Sequence, residues 1–309
     1  MKLLIIGDLH GRKPRIHFKD FDAIVCVGDV CDDREFRPYI KKWFRFLKKS
    51  EEKISLSTFL ENDLGGKGVK KLDTNSLIGG RNILKFLNSF GKPVFIVPGN
   101  WDQSYGKTRI KDPDKDDYSY LKSFYDYYLG TGINPRLIRG LKNVRDCQYQ
   151  LHSFEGVNFL GYGLSSTPEN PSERKKRRKT INKEQYKKLK KRYAKYGMKL
   201  KKALKKKSKG SVVFLTHNVP YNIMDKVKDR NSPAYGKHLG STVARDFVMK
   251  HKPLLCIGGH MHEHFGKKKL GKTTVINAGF GKDANVLVEI SDDGKKLKKV
   301  KFYKGYKKK

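Results

Sequence analysis

The chain has 309 residues and a formal net charge of +38, from 69 Lys and Arg against 31 Asp and Glu. Its length allows a large core that needs no disulfides, and the lack of any 18-residue apolar run excludes a transmembrane helix. The charge favours anionic partners. The apolar start is too short for a signal peptide, so we expect a soluble, cytoplasmic protein. The four cysteines lack a paired spacing and are expected to be reduced core residues: Cys26, Cys31, Cys147 and Cys256.

Five apolar runs along the chain end in polar side chains that can bind a metal. Residues 1–6 lead into Gly7-Asp8-Leu9-His10. The other four runs lead into Gly28-Asp29, Gly99-Asn100-Trp101-Asp102, Thr216-His217-Asn218 and Gly258-Gly259-His260-Met261-His262. Such runs are typical of buried parallel strands, and ligands collect beyond the carboxyl ends of these strands. A single Gly-Asp pair is an ordinary turn former, but five such endings in order indicate a site.

Between the first strands, the pattern predicts helices over residues 36–49 and 80–90, each with apolar side chains at spacings of three and four. Residues 50–78 contain the flexible sequence Gly65-Gly66-Lys67-Gly68 and fit either a short hairpin or a lid. We favour an ordinary surface insertion for this segment. The tyrosine-rich residues 103–140 favour a helix on the flank of the sheet.

Later in the chain, residues 144–151 and 157–164 are predicted to be neighbouring strands joined by a turn at Glu155-Gly156. A further helix is expected over residues 242–250, followed by a strand from Thr273. We expect one catalytic domain over residues 1–290, with a basic helical insertion at about 165–210. Residues 291–309 form a Lys-rich tail, and the nine lysines and no acid among its last fifteen residues predict partial disorder.

The insertion contains a long amphipathic helix that starts at Asn182, with Gln185 completing a capping box, and ends near Gly210. Residues 174–209 hold 20 Lys or Arg and one acid, which gives +19, half of the total charge. A solvated face usually mixes signs and gains i,i+4 ion pairs, which this helix forgoes. The sequence therefore favours polyanion binding by this helix and the tail, although a solvated crossover helix stays an alternative.

The five strand endings resemble the motifs of the calcineurin-like metallophosphoesterases, and the resemblance spans residues 1 to about 280. It implies a four-layer α/β-β/α sandwich with two metal ions at one edge. By resemblance, Asp8, His10 and His262 bind one metal ion, Asn100, His217 and His260 bind the other, and Asp29 bridges both. Asp29, Asn100 and His217 are the residues expected to act in catalysis. Imidazole and carboxylate donors together favour Mn, Fe, Zn, Co or Ni.

One position departs from the family pattern. The family commonly has a histidine after the asparagine, where it protonates the leaving group or contacts the phosphate, but this chain has Trp101. A tryptophan has no proton to exchange, so it either stacks on a substrate or packs beneath the site. The loop after His217 is expected to border the substrate, and His238 is its candidate substrate contact.

Three functions fit these observations. The leading one is hydrolysis of a phosphate mono- or diester of a small phosphorylated molecule, as a phosphatase or phosphodiesterase, by a hydroxide that bridges two metal ions such as manganese. In that case the basic helix is peripheral. The second is a nuclease or nucleic-acid phosphoesterase that uses the basic helix. The third, suggested by Trp101, is a non-enzymatic nucleic-acid-binding protein that keeps a structural metal site. The seven intact ligand positions disfavour it.

Overall fold

Two six-stranded sheets form the centre of the fold. The computed structural model describes residues 1–52, 54–104, 135–173, 182–230, 232 and 234–305. The strands are β1 (Lys2–Ile6), β2 (Ala23–Cys26), β3 (Val94–Ile96), β4 (Val144–Asp146), β5 (Leu151–Phe154), β6 (Val157–Tyr162), β7 (Ser211–Asn218), β8 (Leu255–Gly259), β9 (Gly266–Leu270), β10 (Thr273–Asn277), β11 (Ala284–Ile290) and β12 (Leu297–Lys304). The sheet orders are β12-β11-β1-β2-β3-β4 and β5-β6-β7-β8-β10-β9.

Four neighbouring strands in each sheet are parallel. They are β1 to β4 in the first sheet and β6, β7, β8 and β10 in the second. The outer strands β11, β12, β5 and β9 run antiparallel to their neighbours. Each parallel set therefore brings several strand ends to one edge of its sheet.

The sheets pack face to face because side chains alternate along each strand. Leu3 and Ile5 belong to the core between the sheets, whereas Leu4 and Ile6 belong to the core beneath the helices. Phe95 of the first sheet stacks on Phe159 of the second, with ring centroids 3.8 Å apart.

Helices cover both outer faces. They are α1 (Arg37–Lys49), α2 (Leu56–Asn88), α3 (Asn100–Ser104), α4 (Pro135–Ile138), α5 (Lys183–Leu204) and α6 (Thr242–His251). Leu84 of α2 packs on the first sheet, and Leu200 of α5 and Phe247 of α6 pack on the second. The expected four-layer α/β-β/α architecture is confirmed. No helix in the described ranges is long and apolar enough to cross a membrane.

The predicted helices α1, α5 and α6 are present, and Asn182 caps α5 by accepting a hydrogen bond from the Gln185 N–H at 2.9 Å. The surface insertion predicted for residues 50–78 is wrong. Most of that segment belongs to α2, which buries Leu60 and Leu77 in the core and covers the predicted helix at 80–90 as far as Asn88. The glycine cluster misled the prediction because only Gly65, at φ 64°, leaves the helical geometry, and it produces a kink.

Two further expectations change. The strand predicted over 144–151 is split, since β4 joins the first sheet and β5 the second, while the turn at Glu155 and Gly156 is present with positive φ. Partial disorder is wrong for Leu297–Lys304, which pairs with β11. Its Val300 and Phe302 pack on the core between exposed lysines, an alternation that the lysine count concealed. The helix predicted in residues 103–140 falls largely on residues 105–134, outside the described part of the chain.

Candidate metal centre

The seven predicted ligands lie at the carboxyl ends of parallel strands from both sheets. Asp8 follows β1, Asp29 follows β2 and Asn100 follows β3 in the first sheet. In the second sheet, His217 lies near the end of β7, and His260 and His262 follow β8. Because the sheets pack face to face, these strand ends meet at one edge. Residues that are far apart in sequence therefore lie close together there.

The first group of side chains is Asp8, His10 and His262, whose ligand atoms lie within 4.8 Å of one another. Asp8 is fully buried, and its Oδ2 accepts a hydrogen bond from the His260 N–H at 2.7 Å. The Asp8 Oδ1 and both ring nitrogens of His10 are buried without a hydrogen-bond partner among the described residues. Of these atoms, the Asp8 Oδ1 lies 3.7 Å from the His262 Nε2, and the His10 Nε2 lies 3.6 Å from the Asp29 Oδ2. A buried polar atom without a partner is destabilising, so these two lone-pair donors fit a cation.

The second group is Asp29, His217 and His260, also within 4.8 Å. The Nδ1 of His217 donates to the Val27 carbonyl at 2.8 Å, since a carbonyl can only accept. Its Nε2 then faces the Asn100 Oδ1 at 2.9 Å and the Asp29 Oδ2 at 3.3 Å. The same Asp29 oxygen lies 3.6 Å from the His10 Nε2 of the first group. Asp29 is therefore the member of the second group that contacts the first group.

The backbone at this edge is strained. Four of the seven predicted ligands have a positive φ: Asp8 at 50°, His10 at 46°, Asp29 at 51° and His260 at 63°. Such conformations are uncommon for residues other than glycine and concentrate at functional sites. Gly259 and Gly99 allow the close approach, because a Cβ on either would lie 2.1 Å from a carboxylate oxygen, of Asp8 and Asp29 respectively.

Asp102 supports the Asp29 loop from beneath, a role that the sequence analysis missed. It is fully buried, and its Oδ2 accepts hydrogen bonds from the N–H groups of Asp29 (2.7 Å) and Gly99 (2.9 Å). Its Oδ1 accepts from Val30 (2.9 Å) and Cys31 (3.0 Å). The acid in the sequence Gly-Asn-Trp-Asp was visible, but its partners become apparent only in three dimensions.

The electrostatic environment shifts the pKa values of the two histidines of the second group in opposite directions. Burial lowers the pKa of His217, but the neighbouring Asp29 carboxylate outweighs burial and raises that pKa to about 9. Burial raises the pKa of Asp29, and the charges of His217 and His10 outweigh it, so that the pKa of Asp29 falls below its usual range. Burial and then the charge of His217 lower the pKa of His260 to about 4. His260 is therefore a neutral imidazole at pH 7, the form that binds metals.

Two other predicted site residues have structural partners. The Trp101 side chain is half-buried against the first-sheet core, 5.6 Å from the Phe36 ring. The backbone N–H of Trp101 donates to the Asp29 Oδ1 at 2.8 Å. This position favours packing beneath the site, and a substrate contact stays a prediction. His238 is partly exposed, and its Nδ1 lies 2.6 Å from the Oδ1 of the buried Asp225. The adjacent Leu239 carbonyl accepts from the Asn218 side chain at 2.8 Å, which ties this loop to the end of β7.

A ring that the sequence analysis did not single out closes the first group. Phe280 stacks on His262 at 4.1 Å and lies 5.5 Å from His10. The Arg12 guanidinium lies 5.4 Å from the same ring. Phe280 stands between two glycines after β10, and only the return of that strand to the site edge reveals its position.

The chain resembles a known protein family and several solved structures. The model of the calcineurin-like phosphoesterase family matches residues 73–264, more than half of the chain. The chain belongs to the calcineurin-like phosphoesterase family. The matched range holds Asn100, His217, His260 and His262, and the fold adds Asp8, His10 and Asp29 from outside it. Family membership makes the chain a metal-dependent phosphoesterase, a hydrolase, and implies divalent metal ions.

Solved structures resemble the chain at low sequence identity. One shares 17% identity at a TM-score of 0.56, with 98% of both chains covered, and supports the same fold. A protein of Thermus thermophilus shares 14% identity at a TM-score of 0.46, again with 98% of both chains covered. A phosphopantetheinyl hydrolase from Mycobacterium tuberculosis shares 13% at 0.44, with 91% of this chain and 89% of that one covered. No curated protein sequence matches the chain.

Proposed function

We propose that this protein hydrolyses a phosphate ester with two divalent metal ions held by the seven predicted ligands. The observation that carries the proposal is the position of the Asp29 Oδ2, 3.6 Å from the His10 Nε2 and 3.3 Å from the His217 Nε2. One carboxylate oxygen between two imidazole nitrogens suits a ligand that is shared by two cations.

When bound, a pair of divalent cations activates water as a nucleophile at neutral pH and neutralises charge on the phosphoryl oxygens. The chain's own residues prepare this site. The Val27 carbonyl fixes the proton of His217 on Nδ1, and the His260 N–H orients the Asp8 carboxylate so that its Oδ1 stays available. Asn100 adds a neutral oxygen beside His217, which contributes a ligand without further negative charge.

The leaving-group side of the site lacks the usual acid, because Trp101 cannot transfer a proton. The partly exposed His238 is the proposed substrate contact, since Asp225 holds its imidazole and its loop is tied to the strand that carries His217. Substrates with good leaving groups are therefore the best probes of activity.

The test is hydrolysis of p-nitrophenyl phosphate and bis(p-nitrophenyl) phosphate by the purified full-length protein. We expect turnover with at least one of them, loss of turnover in EDTA, and recovery when Mn²⁺ is added back. Asp20→Asn should keep the wild-type turnover and the same response to EDTA and Mn²⁺, because Asp20 is an exposed carboxylate that pairs with Lys2 and is not among the seven predicted ligands. Turnover that persists in excess chelator would contradict the proposal.

A second candidate function is phosphodiester cleavage in a nucleic acid, and the surface of α5 favours it. The helix buries Tyr196, Leu200 and Ala203 against the second sheet. Eight of its lysines are exposed: Lys183, Lys187, Lys188, Lys190, Lys191, Lys195, Lys201 and Lys202. Its one acid, Glu184, pairs with Lys188 at 2.8 Å. Such a face suits the regularly spaced charges of a phosphodiester backbone.

The first turns of α5 also lie beside the loop that follows His217. The Tyr186 hydroxyl lies 2.9 Å from the Ser172 hydroxyl, and the adjacent Glu173 accepts a hydrogen bond from the Tyr221 hydroxyl at 3.1 Å. Tyr221 follows His217 by four residues. Two side-chain contacts thus link the first turns of α5 to the loop that follows His217.

The test is the salt dependence of binding to single-stranded and duplex DNA. The slope of log K against log salt is about −0.7 per neutralised phosphate on single strands and about −0.9 on duplex. Replacement of Lys187, Lys190, Lys191 and Lys195 by Glu should flatten the slope and leave p-nitrophenyl ester hydrolysis unchanged. An unchanged slope, or no binding by the wild type at low salt, would leave α5 as a solvated crossover helix.

A further inference from the structure

A carboxylate outside the predicted ligand set contacts the first group of side chains. The Asp33 Oδ2 lies 3.0 Å from the His10 Nδ1, and both side chains are almost completely buried. On its other side Asp33 meets Arg37 in a two-pronged contact, with Nη2 to Oδ2 at 2.8 Å and Nε to Oδ1 at 3.1 Å. Arg37, Asp33 and His10 thus form a line that runs from the surface into the site.

This contact decides which nitrogen of His10 is available. A neutral imidazole carries one N–H, and a neighbouring carboxylate favours that proton on the nitrogen that faces it. Asp33 therefore holds the proton on Nδ1 and leaves the lone pair on Nε2. Neither ring nitrogen of His10 makes a hydrogen bond of standard geometry among the described residues, but Nδ1 lies within ion-pair distance of Asp33, whereas Nε2 is directed towards the Asp29 carboxylate at 3.6 Å.

The local backbone holds Asp33 in place. Its carbonyl accepts hydrogen bonds from the N–H groups of Phe36 and Arg37, each at 3.1 Å, in the turn that starts α1. Two residues earlier, the Cys31 N–H donates to the Asp102 carboxylate. The loop that carries Asp33 is therefore fixed on both sides of this residue. The planar guanidinium of Arg37 contacts both carboxylate oxygens of Asp33 and so orients the carboxylate.

We propose that Asp33, held by Arg37, is the positioning residue that makes the His10 Nε2 a metal ligand. This inference rests on the proposed function, since it assumes that Asp8, His10 and His262 bind a cation. Partners of this kind typically change metal affinity by about 10- to 100-fold when they are removed. The effect should be confined to the ion bound by His10, because the His217 ring has its own acceptor in the Val27 carbonyl.

The test is calorimetric titration of the metal-stripped full-length protein with Mn²⁺. The wild type should show two binding events. Asp33→Ala should weaken one of them by about 10- to 100-fold and leave the other unchanged. Asp33→Asn should weaken the same event less, because the amide oxygen still accepts the Nδ1 proton. Arg37→Met should also weaken that event less than Asp33→Ala, and it serves if the alanine variant does not fold.

Asp225→Asn is the matched control, because it alters a second buried carboxylate that contacts an imidazole Nδ1, on a histidine outside the seven ligands. Both binding events should keep their wild-type affinities in that variant. Wild-type affinities at both sites in folded Asp33→Ala and Arg37→Met would overturn the inference while the proposed function stands. Absence of Mn²⁺ binding by the wild type would overturn the proposed function as well.

Discussion

Removal of the Asp102 carboxylate is the perturbation whose effect follows most directly from the structure. Asp102 makes no contact with substrate in this account, yet its two oxygens accept four backbone hydrogen bonds that shape the Asp29 loop. Burial and then the Asp29 charge raise the pKa of Asp102, which shows that the carboxylate is held against a desolvation penalty. Its backbone hydrogen bonds lower the pKa and so offset only part of that penalty, since the net shift of the pKa is upward.

The magnitude follows from the donors left behind. A buried donor without a partner destabilises a protein by about 1–3 kcal/mol, so four of them in Asp102→Ala should lower the free energy of unfolding by at least about 4 kcal/mol. Asp102→Asn keeps one acceptor oxygen but places an NH₂ group against two N–H donors. At the lower limit of about 1 kcal/mol for each donor, its loss should be about 2 kcal/mol.

The assay is urea unfolding followed by far-UV circular dichroism, with free energies extrapolated to zero denaturant. Asp246→Ala is the control, since Asp246 accepts a hydrogen bond from the Tyr193 hydroxyl in an exposed pair, and its loss should stay below about 1 kcal/mol. Metal content should fall in both Asp102 variants because the Asp29 loop loses its support. A free energy of unfolding of Asp102→Ala that lies within about 1 kcal/mol of the wild-type value would contradict this prediction.

Three further substitutions test neighbouring parts of the site. Gly259→Ala should lower Mn²⁺ affinity, since its Cβ would overlap the Asp8 Oδ2; calorimetry that gives wild-type affinity would remove the close-approach argument. Trp101→His should raise hydrolysis rates for esters with poor leaving groups more than for esters with good ones, because it restores a proton donor. The rates are measured on a series of aryl phosphates. If the wild type hydrolyses the whole series at equal rates, another residue acts as the acid, and His238 is the candidate. Phe280→Ala should weaken Mn²⁺ binding at the His10 and His262 side without altering the other event, since the ring packs against both imidazoles; equal weakening of both events would contradict that assignment.

The parallel strands and the candidate ligands at their ends could be predicted because buried strands appear in the sequence as apolar runs. A polar residue that directly follows such a run must lie at the carboxyl end of the strand. The positions of Asp8, Asp29 and His217 at strand ends were predicted in this way. The long helix α2 was missed because a glycine-rich stretch usually ends a helix, whereas here Gly66 and Gly68 continue it and only Gly65 adopts a different conformation. Helix packing on the first sheet outweighed the local preference.

The supporting residues could not be predicted because their roles depend on contacts distant in sequence. Asp102 binds N–H groups more than 70 residues away, and Phe280 meets His10 across almost the whole chain. Asp33 is one of two adjacent aspartates, and the sequence does not distinguish the one that faces His10 from Asp32, which pairs with Arg34. Backbone geometry decides such choices, and local patterns do not encode it.

The proposed position of Asp29 between two cations is tested most directly by the metal content of the purified wild type and of Asp29→Asn, measured by inductively coupled plasma mass spectrometry. The account predicts two divalent ions per wild-type chain and a clear loss in the variant, because removal of the shared negative charge leaves two cations facing each other. Hydrolysis should disappear with the metal. Full metal occupancy together with normal turnover in Asp29→Asn would contradict the account.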